Sequence, residues 1–214
     1  KGDARRRKLI AMTHALDRSV GYVLDALEAA GIEDETLVFF INDNGGATNN
    51  ASQNGPLRGR KGTVWEGGIR VPFLARWPNG LPAGQVFDAP VIALDILPTC
   101  LAAAGGSRSG QLPLDGVDLL PFLRGDVAKP PHEQLFWRHG DEKWAVRRGD
   151  WKLVRQDGET PRLYNLRTDE GEQRDVASQE VERVAELQRT WATWNEQLVT
   201  PRWRYGRKKA PKRK

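Results

Sequence analysis

The first part of the chain shows two patterns of apolar residues, one with helical spacing and one continuous. An uninterrupted apolar run from Leu37 to Ile41 is typical of a strand covered on both faces, and it favours a parallel sheet. Before this run, apolar residues recur at the spacing of an amphipathic helix that ends at Gly31, and we expect this long helix to pack against the sheet. The residues of that helical stripe are Leu9, Met12, Leu16, Val20, Val23, Leu24 and Leu27.

Two further segments extend this pattern toward the middle of the chain. Ile69 to Trp77 is a candidate strand that contains Pro72 and is followed by turn residues. Leu94 to Ala104 predicts a helix that two glycines terminate. Together with the first helix and strand, these segments predict an α/β fold in which helices flank a sheet, over residues 1–129.

The pattern changes near Pro130, where short strand-like segments alternate with turn signals. The four segments predict a small antiparallel meander. Ser178 is expected to cap a last helix, whose apolar stripe from Val181 to Leu198 would cover that sheet. We assign residues 130–200 to this β subdomain and residues 201–214 to a basic disordered tail. The predicted strands are Gln134 to Arg138, Lys143 to Arg147, Trp151 to Arg155 and Arg162 to Asn165.

Composition narrows the class of protein. The 214 residues are 39% hydrophobic and include eight tryptophans, enough for one sizeable core and a small appended unit. No apolar run approaches the roughly 20 residues that cross a bilayer. Much of the net charge of +5 lies in the tail, so we expect no specific nucleic-acid partner, although a polybasic tail can bind any polyanion.

The first candidate site lies where the predicted strand ends. Asp43 and Asn44 follow it directly, and Gly45 and Gly46 allow the backbone to approach a ligand closely. Carboxylate and amide oxygens are hard ligands that suit Ca²⁺ or Mg²⁺ better than zinc. The same four residues are also typical of an ordinary turn after a strand, so they alone leave both interpretations open.

A second candidate site follows within the glycine-rich stretch from Pro56 to Pro72. Arg58, Arg60 and Lys61 place cations on flexible backbone, which suits an oxyanion. A Walker A loop is excluded because Arg60, not glycine, precedes Lys61. Taken alone, the three cations are more typical of a solvated basic loop than of a catalytic one.

Together the two clusters resemble the formylglycine-dependent sulfatases of the alkaline phosphatase superfamily. That family pairs a strand ending in Asp-Asn-Gly with a downstream Lys-Gly-x-x-x-Glu-Gly-Gly-x-Arg-x-Pro, and the stretch from Lys61 to Pro72 fits this pattern throughout. The stretches Ala15 to Gly21 and Ala93 to Thr99 resemble the same family. The resemblance extends over most of the chain, from about Met12 to Leu166.

The resemblance implies a sulfuric ester hydrolase of the arylsulfatase-like type. By similarity, Asp43 and Asn44 would be two ligands of a calcium ion, and Lys61 would contact the sulfate group as a catalytic and substrate-binding residue. Glu66 would position the loop, and Arg70 would pair with a carboxylate. The implied substrate is a sulfated small molecule or a sulfated glycan, and the family's habit is periplasmic or secreted.

The sequence departs from the family at the nucleophile. No Cys/Ser-x-Pro-x-Arg signature, whose first residue becomes formylglycine, occurs here. The single cysteine, Cys100, lies in an apolar helical stretch and is expected to be a small buried hydrophobe. We therefore expect the formylglycine upstream, in a missing N-terminal half of the protein, and expect this chain alone to be inactive.

Two other functions remain open at this point. One is a phosphodiesterase or phosphonate hydrolase of the same superfamily, with a similar cleft. The other is a noncatalytic domain that binds sulfated glycans through the basic loop and tail. Trp137, Trp144 and Trp151 could form a sugar platform in such a domain, although we expect them to be core residues.

Overall fold

The computed structural model describes residues 3–106 and 113–201. No helix in these two ranges is long and apolar enough to span a membrane. The predicted basic tail lies outside them from residue 202 onward. In chain order, the elements are α1 (Ala4–Ala29), β1 (Val38–Ile41), α2 (Glu66–Ile69), β2 (Phe73–Arg76), α3 (Ile96–Ala103), α4 (Leu120–Leu123), β3 (Gln134–His139), β4 (Lys143–Arg148), β5 (Trp151–Arg155), β6 (Arg162–Asn165) and α5 (Val181–Glu196).

The chain forms two compact units. Unit 1 consists of the residues up to Asp43 together with 49–52 and 71–133. Unit 2 consists of 44–48, 53–70 and the residues from Gln134 onward. Helices accompany a two-stranded sheet in unit 1, and unit 2 contains a four-stranded antiparallel sheet, in agreement with the predicted fold class. The predicted boundaries at residues 130 and 201 stay a prediction.

The long helix α1 forms where the apolar periodicity predicts it. The carboxylate of Asp3 accepts a hydrogen bond from the backbone N–H of Arg5 at 2.9 Å and so caps the first turn. Gly31 follows the helix with φ of +67°, a conformation that glycine adopts without strain. No residue of α1 is fully buried among the described residues, although Leu24 and Leu27 of its apolar stripe are half-buried, and its packing against a sheet stays a prediction.

The two strands of unit 1 pair in antiparallel register, with Phe39 opposite Ala75. The expected parallel pairing is therefore wrong for this pair. A continuous apolar run indicates that both faces of a strand are buried, but it does not indicate whether the neighbouring strand runs parallel or antiparallel. All four residues of β1 are only half-buried, and Phe39 meets Phe73 edge to face with ring centroids 5.7 Å apart.

Helix α3 lies within the predicted span and ends before Gly105, which has φ of +64°. Its one buried side chain is Thr99, whose hydroxyl donates to the carbonyl of Asp95 at 2.6 Å and accepts from the backbone N–H of Leu119 at 2.9 Å. Cys100 is exposed, so its prediction as a buried hydrophobe is wrong. In this helix the buried face carries Thr99. Cys100 is the next residue and therefore lies on a different face.

Unit 2 is built on the predicted meander, with strand order β3-β4-β5-β6 and all neighbours antiparallel. Helix α5 covers one face of this sheet, as predicted. Its Leu187 is buried, and Trp191 stacks on Trp144 with ring centroids 4.4 Å apart. The helix begins at Val181 with no side-chain cap, so the predicted cap at Ser178 is wrong. The sheet residues buried on this face are Trp144, Val146, Leu153 and Leu163.

The opposite face of the same sheet is covered by the segment that leads into α2. Val64 and Trp65 from this segment are buried against alternate residues of the strands. Because successive side chains of a strand point to opposite faces, the two apolar cores lie on the two sides of one sheet. Trp137, Trp144 and Trp151 contribute to these cores, which confirms their prediction as core residues. The sheet residues on the side of Val64 are Ala145, Val154 and Tyr164, joined by Leu166.

Candidate functional site

Asp43 and Asn44 follow β1 directly, where the sequence places them. The Asp43 side chain is exposed and the Asn44 side chain is half-buried. Within residues 3–106 and 113–201, neither side chain forms a hydrogen bond or an ion pair with another residue. Their oxygen atoms are therefore unoccupied by protein donors and accessible to a ligand.

The two glycines after Asn44 allow a close approach of two backbone segments. Gly45 is buried, and its N–H donates to the carbonyl of Gly68 at 3.1 Å. A Cβ atom at Gly45 would lie 1.8 Å from the carbonyl oxygen of Gly67, so no larger residue fits there without movement of the backbone. The N–H of Gly46 donates to Oδ1 of Asn54 at 2.8 Å. This turn is therefore packed against the glycine-rich stretch rather than free in solvent.

Lys61 lies on the exposed loop that precedes α2. Glycines with positive φ lie near it on both sides, Gly59 at +87° and Gly62 at +83°. The backbone N–H of Lys61 donates to the carbonyl of Gly46 at 3.2 Å, while its ammonium group forms no hydrogen bond or ion pair in the described part of the chain. The structure thus brings the segments of Asn44 and Lys61 together inside unit 2.

Asp43 is the last residue of unit 1 before the chain enters unit 2 at Asn44. Its inclusion with Asn44 and Lys61 in one site stays a prediction, as do the roles assigned to all three.

The three cations of the glycine-rich stretch differ in their surroundings. Arg60 and Lys61 are exposed, as a solvated basic loop predicts, but Arg58 is half-buried. The Arg58 guanidinium donates to the Tyr164 hydroxyl at 3.2 Å and to the carbonyl of Glu172 at 2.8 Å, and it lies 4.1 Å from the centroid of the Trp65 ring. These contacts make Arg58 a structural residue that ties the loop to the sheet.

Glu66 and Arg70 have structural surroundings, as predicted. Glu66 is buried, with 3% of its surface exposed, and its Oε1 accepts a hydrogen bond from the ammonium of Lys152 at 2.6 Å. Arg70 pairs with Glu170 at 3.6 Å, but both side chains are more than half exposed. An ion pair between two such exposed side chains contributes little to stability.

A buried ion cluster, formed by Lys152, Glu66 and Glu172, lies beneath the loop. The Lys152 ammonium is fully buried and lies 3.0 Å from Oε1 of Glu172, within ion-pair distance. Oε2 of Glu172 accepts from the backbone N–H of Glu66 at 2.7 Å. Burial raises the pKa of Glu172, while the charge of Lys152 opposes that rise.

This buried cluster was not predicted from the sequence. Lys152 lies between Trp151 and Leu153 in a strand with apolar alternation, and a lysine at such a position is ordinarily assigned to a solvent-facing side. Val154 is the residue that could have indicated the burial of Lys152. Side chains two positions apart in a strand share a face, so an apolar Val154 indicates that the face carrying Lys152 is buried as well.

The donor set for a metal ion is incomplete within the described residues, which contain no group of three or more His, Cys, Asp or Glu residues able to hold one. Ca²⁺ takes about six to eight oxygen ligands, whereas Asp43 and Asn44 supply oxygens from only two side chains. Both are hard donors without protein partners, so they fit calcium as part of a larger ligand set.

Comparison with known proteins supplies two overlapping family matches. The family model described as "Sulfatase" matches residues 4–107, and the model described as "N-sulphoglucosamine sulphohydrolase, C-terminal" matches residues 60–198. Steryl-sulfatase of Mus musculus is 39% identical over 150 residues, which cover 61% of this chain and 24% of that protein. Arylsulfatase A of Bos taurus is 42% identical over 144 residues, which cover 64% of this chain and 28% of that protein.

Solved structures share the fold over nearly the whole chain. Ps i-CgsB in complex with k-i-k-neocarrahexaose matches with a TM-score of 0.88 and 31% identity, over 94% of this chain and 46% of that one. The PsFucS1 sulfatase from Pseudoalteromonas sp. matches with a TM-score of 0.72 and 25% identity, over 87% of this chain and 42% of that one. The chain thus spans less than half the length of the solved structures and about a quarter of the two curated relatives.

Proposed function

Because the chain belongs to the sulfatase family, we propose that it supplies part of the metal and sulfate site of a sulfuric ester hydrolase. The observation that carries this proposal is the contrast within one loop. The Lys61 ammonium is exposed and has no partner in the described residues, while the backbone around it is held by buried contacts. A cation presented on a fixed backbone suits the recognition of a tetrahedral anion.

Lys61 acts on the sulfate ester as a fixed positive charge. In hydrolysis of the ester, negative charge shifts among the nonbridging oxygens and the leaving oxygen, and an ammonium held nearby stabilises it. Lys61 needs no proton transfer for this role, because a lysine side chain serves as a compact point charge with rotatable donors.

Asp43 and Asn44 are the residues of this chain that would hold calcium. When bound there, the ion would add a divalent charge that stabilises the developing charge on the ester oxygens. The carboxylate of Asp43 offers a charged oxygen and the amide of Asn44 a neutral one, both suited to a hard cation. We propose that the acidic ligands that complete the site lie upstream of this chain.

The nucleophile of the reaction would also lie outside this chain. No Cys/Ser-x-Pro-x-Arg signature occurs in the sequence, so the formylglycine of the reaction would lie upstream. We therefore propose that this chain acts together with an N-terminal half, and that it does not hydrolyse sulfate esters alone. The short coverage of its relatives is consistent with that arrangement.

The proposed substrate is a sulfated glycan or a sulfated small molecule. The complex of Ps i-CgsB with k-i-k-neocarrahexaose favours the glycan, because that protein shares the fold of this chain over 94% of its length.

The assay that tests the function uses the complete protein on an aryl sulfate and an aryl phosphodiester side by side. We expect faster turnover of the sulfate, and we expect Lys61→Ala to lower kcat by about two orders of magnitude. Arg60→Ala removes the neighbouring exposed cation and should leave kcat nearly unchanged. Preference for the phosphodiester would instead support the phosphodiesterase alternative, and normal activity of Lys61→Ala would refute the role of that lysine.

Calcium binding provides the second test. We expect Asp43→Ala in the complete protein to weaken calcium affinity, since the ion loses a charged oxygen. Isothermal titration with calcium alone measures this, and Asp34→Ala, which removes an acidic residue before β1, is the control. Glycan binding that survives Lys61→Ala and calcium chelation, but is lost on deletion of residues 201–214, would favour the noncatalytic alternative.

A further inference from the structure

The loop that presents Lys61 has little regular structure of its own. We name residues 58–68 the lysine loop. Its only helical part is the start of α2, a helix of four residues that begins at Glu66. A loop without a hydrogen-bonded ladder takes its position from the groups that its backbone and side chains contact. For the lysine loop, these groups lie on one face of the β3–β6 sheet.

Two apolar residues of the lysine loop contact that face directly. Val64 and Trp65 are 3% and 6% exposed, and Trp65 meets Tyr164 edge to face with ring centroids 5.5 Å apart. Apolar burial holds the loop on the sheet but tolerates small shifts, because it has no preferred direction. Hydrogen bonds and ion pairs are needed to fix its register.

Besides the contacts of Arg58 described above, those polar contacts come from β5 and from the segments that follow β5 and β6. The Lys152 ammonium and the Glu172 carboxylate hold Glu66 from both its side chain and its backbone N–H. Oε1 of Gln156, which is 9% exposed, accepts from the N–H of Val64 at 3.3 Å. The contacts meet the loop at three and five residues from Lys61, on its C-terminal side.

A third contact lies next to Lys61 itself. The ammonium of Lys143 donates to the carbonyl of Gly62 at 3.3 Å and pairs with Asp157 at 3.1 Å. Lys143 is partly exposed, so this contact is weaker than those of the buried cluster. It shows that the sheet contacts the lysine loop along its length, from Gly62 to Glu66.

Lys152 is the member of the buried cluster that holds the other two together. Its single ammonium lies between two buried carboxylates. Removal of the ammonium would leave Glu172 without its ion-pair partner, and would leave Glu66 with only the longer-range charge of Arg147. One of these carboxylates belongs to the lysine loop and the other holds the backbone of that loop. Loss of Lys152 would therefore drive the loop away from the sheet face.

We infer that Lys152 is a positioning residue for Lys61, acting through Glu66 and Glu172 to fix the lysine loop on the sheet. This inference rests on the proposed role of Lys61 in contacting the sulfate group. Lys152 is fully buried and touches no substrate, so its effect on turnover passes through the backbone of the loop. The small C-terminal sheet thereby helps to orient the Lys61 ammonium that contacts the sulfate group.

A double-mutant cycle in the complete enzyme tests the inference. Lys152→Met, Lys61→Ala and the double variant are compared by kcat and KM on an aryl sulfate. We expect Lys152→Met to lower kcat by about a hundredfold, since a misplacement on the order of 1 Å can cost that much. In the Lys61→Ala background, the same change should lower kcat by less than about threefold, because the group it positions is gone.

Hydrogen exchange gives a readout that needs no activity. We expect Lys152→Met to speed exchange of the Glu66 amide by at least about tenfold while the β6 amides stay protected. The matched control is Leu187→Ala, which disturbs the other face of the same sheet and leaves the contacts of the lysine loop in place. This control should lower stability without a comparable loss of kcat per folded molecule.

If Lys152→Met does not fold, Gln156→Leu removes a single loop contact without leaving a buried charge, and it takes the place of Lys152→Met in the same cycle. Equal losses of kcat in the two Lys61 backgrounds, or unchanged exchange at the loop amides, would overturn the inference. No effect of Lys61→Ala alone would refute the proposed function instead, so the two failures are distinguishable.

Discussion

At the residue scale, Glu172 shows how burial and charge act on one carboxyl group. Removal from water raises its pKa above the usual value of 4.5, and the adjacent Lys152 ammonium only partly opposes the rise, because Glu66 competes for the same charge. Below pH 4.5 both the folded and the unfolded chain keep this proton, so the contribution of Glu172 to stability is fully present there. As pH rises through the raised pKa, the unfolded chain releases the proton first, and that contribution is lost.

We therefore predict a pH-dependent difference between the wild type and Glu172→Gln. The free energy of unfolding of the wild type relative to the variant should decrease as pH rises above 4.5, because glutamine does not titrate. Urea unfolding at a series of pH values, followed by tryptophan fluorescence, measures this. A difference that grows with pH would mean that Lys152 lowers the pKa of Glu172, contrary to this account.

Individual residues also show what sequence reasoning can reach. From the family resemblance, Glu66 was expected to position the loop and Arg70 to pair with a carboxylate, and their contacts with Lys152 and Glu170 agree with structural roles. Arg58 and Lys152 were missed because their partners are distant in sequence, at Glu172 for Arg58 and at Glu66 for Lys152. A charged residue carries no local sign that a distant segment will bury it.

At the element scale, local patterns decided which predictions succeeded. The meander and α5 were predictable because turn residues and apolar spacing act over a few residues, as in the turn at Gly149 with φ of +57°. Two features depend on segments far apart in the chain. One is the antiparallel direction of the β1 and β2 pairing, and the other is the extent to which α1 is buried. The packing of Val64 and Trp65 on the second face of the β3–β6 sheet is likewise a contact between residues distant in sequence.

The covering helix α5 gives a prediction at this scale. Leu187→Ala should lower the free energy of unfolding by about 2–5 kcal/mol, because it removes a side chain that is 2% exposed and leaves a cavity under the helix. Val181→Ala, on the same helix but 66% exposed, should change it by less than about 0.5 kcal/mol. Chemical denaturation of the two variants compares them. Equal effects would mean that α5 is not packed on the sheet through Leu187.

At the scale of the whole molecule, apolar surface remains uncovered on α1 and α3. Met12, Leu16 and Val23 on α1 are each more than half exposed, as is Leu97 on α3. Scattered exposed apolar residues are common, but a stripe along one long helix indicates a surface that another chain segment covers. The two compact units differ in this respect, because unit 2 buries both faces of its sheet.

We predict that the isolated 214-residue chain self-associates or aggregates, driven by this surface. Light scattering coupled to size-exclusion chromatography measures it, and Met12→Lys combined with Leu16→Glu should reduce the association. A monomer that unfolds in a sharp and reversible thermal transition would contradict the prediction. Such a result would also weaken the proposal that an N-terminal half completes the protein.

The site proposed here joins Asp43, Asn44 and Lys61 around a cation and a sulfate group. A crystal structure of the complete protein with calcium and a sulfated ligand is the decisive measurement. We expect oxygens of Asp43 and Asn44 at about 2.3–2.6 Å from the calcium ion, with the Lys61 ammonium in hydrogen-bonding contact with a sulfate oxygen. A sulfate group bound elsewhere, with Asp43 and Lys61 directed away from each other, would contradict it.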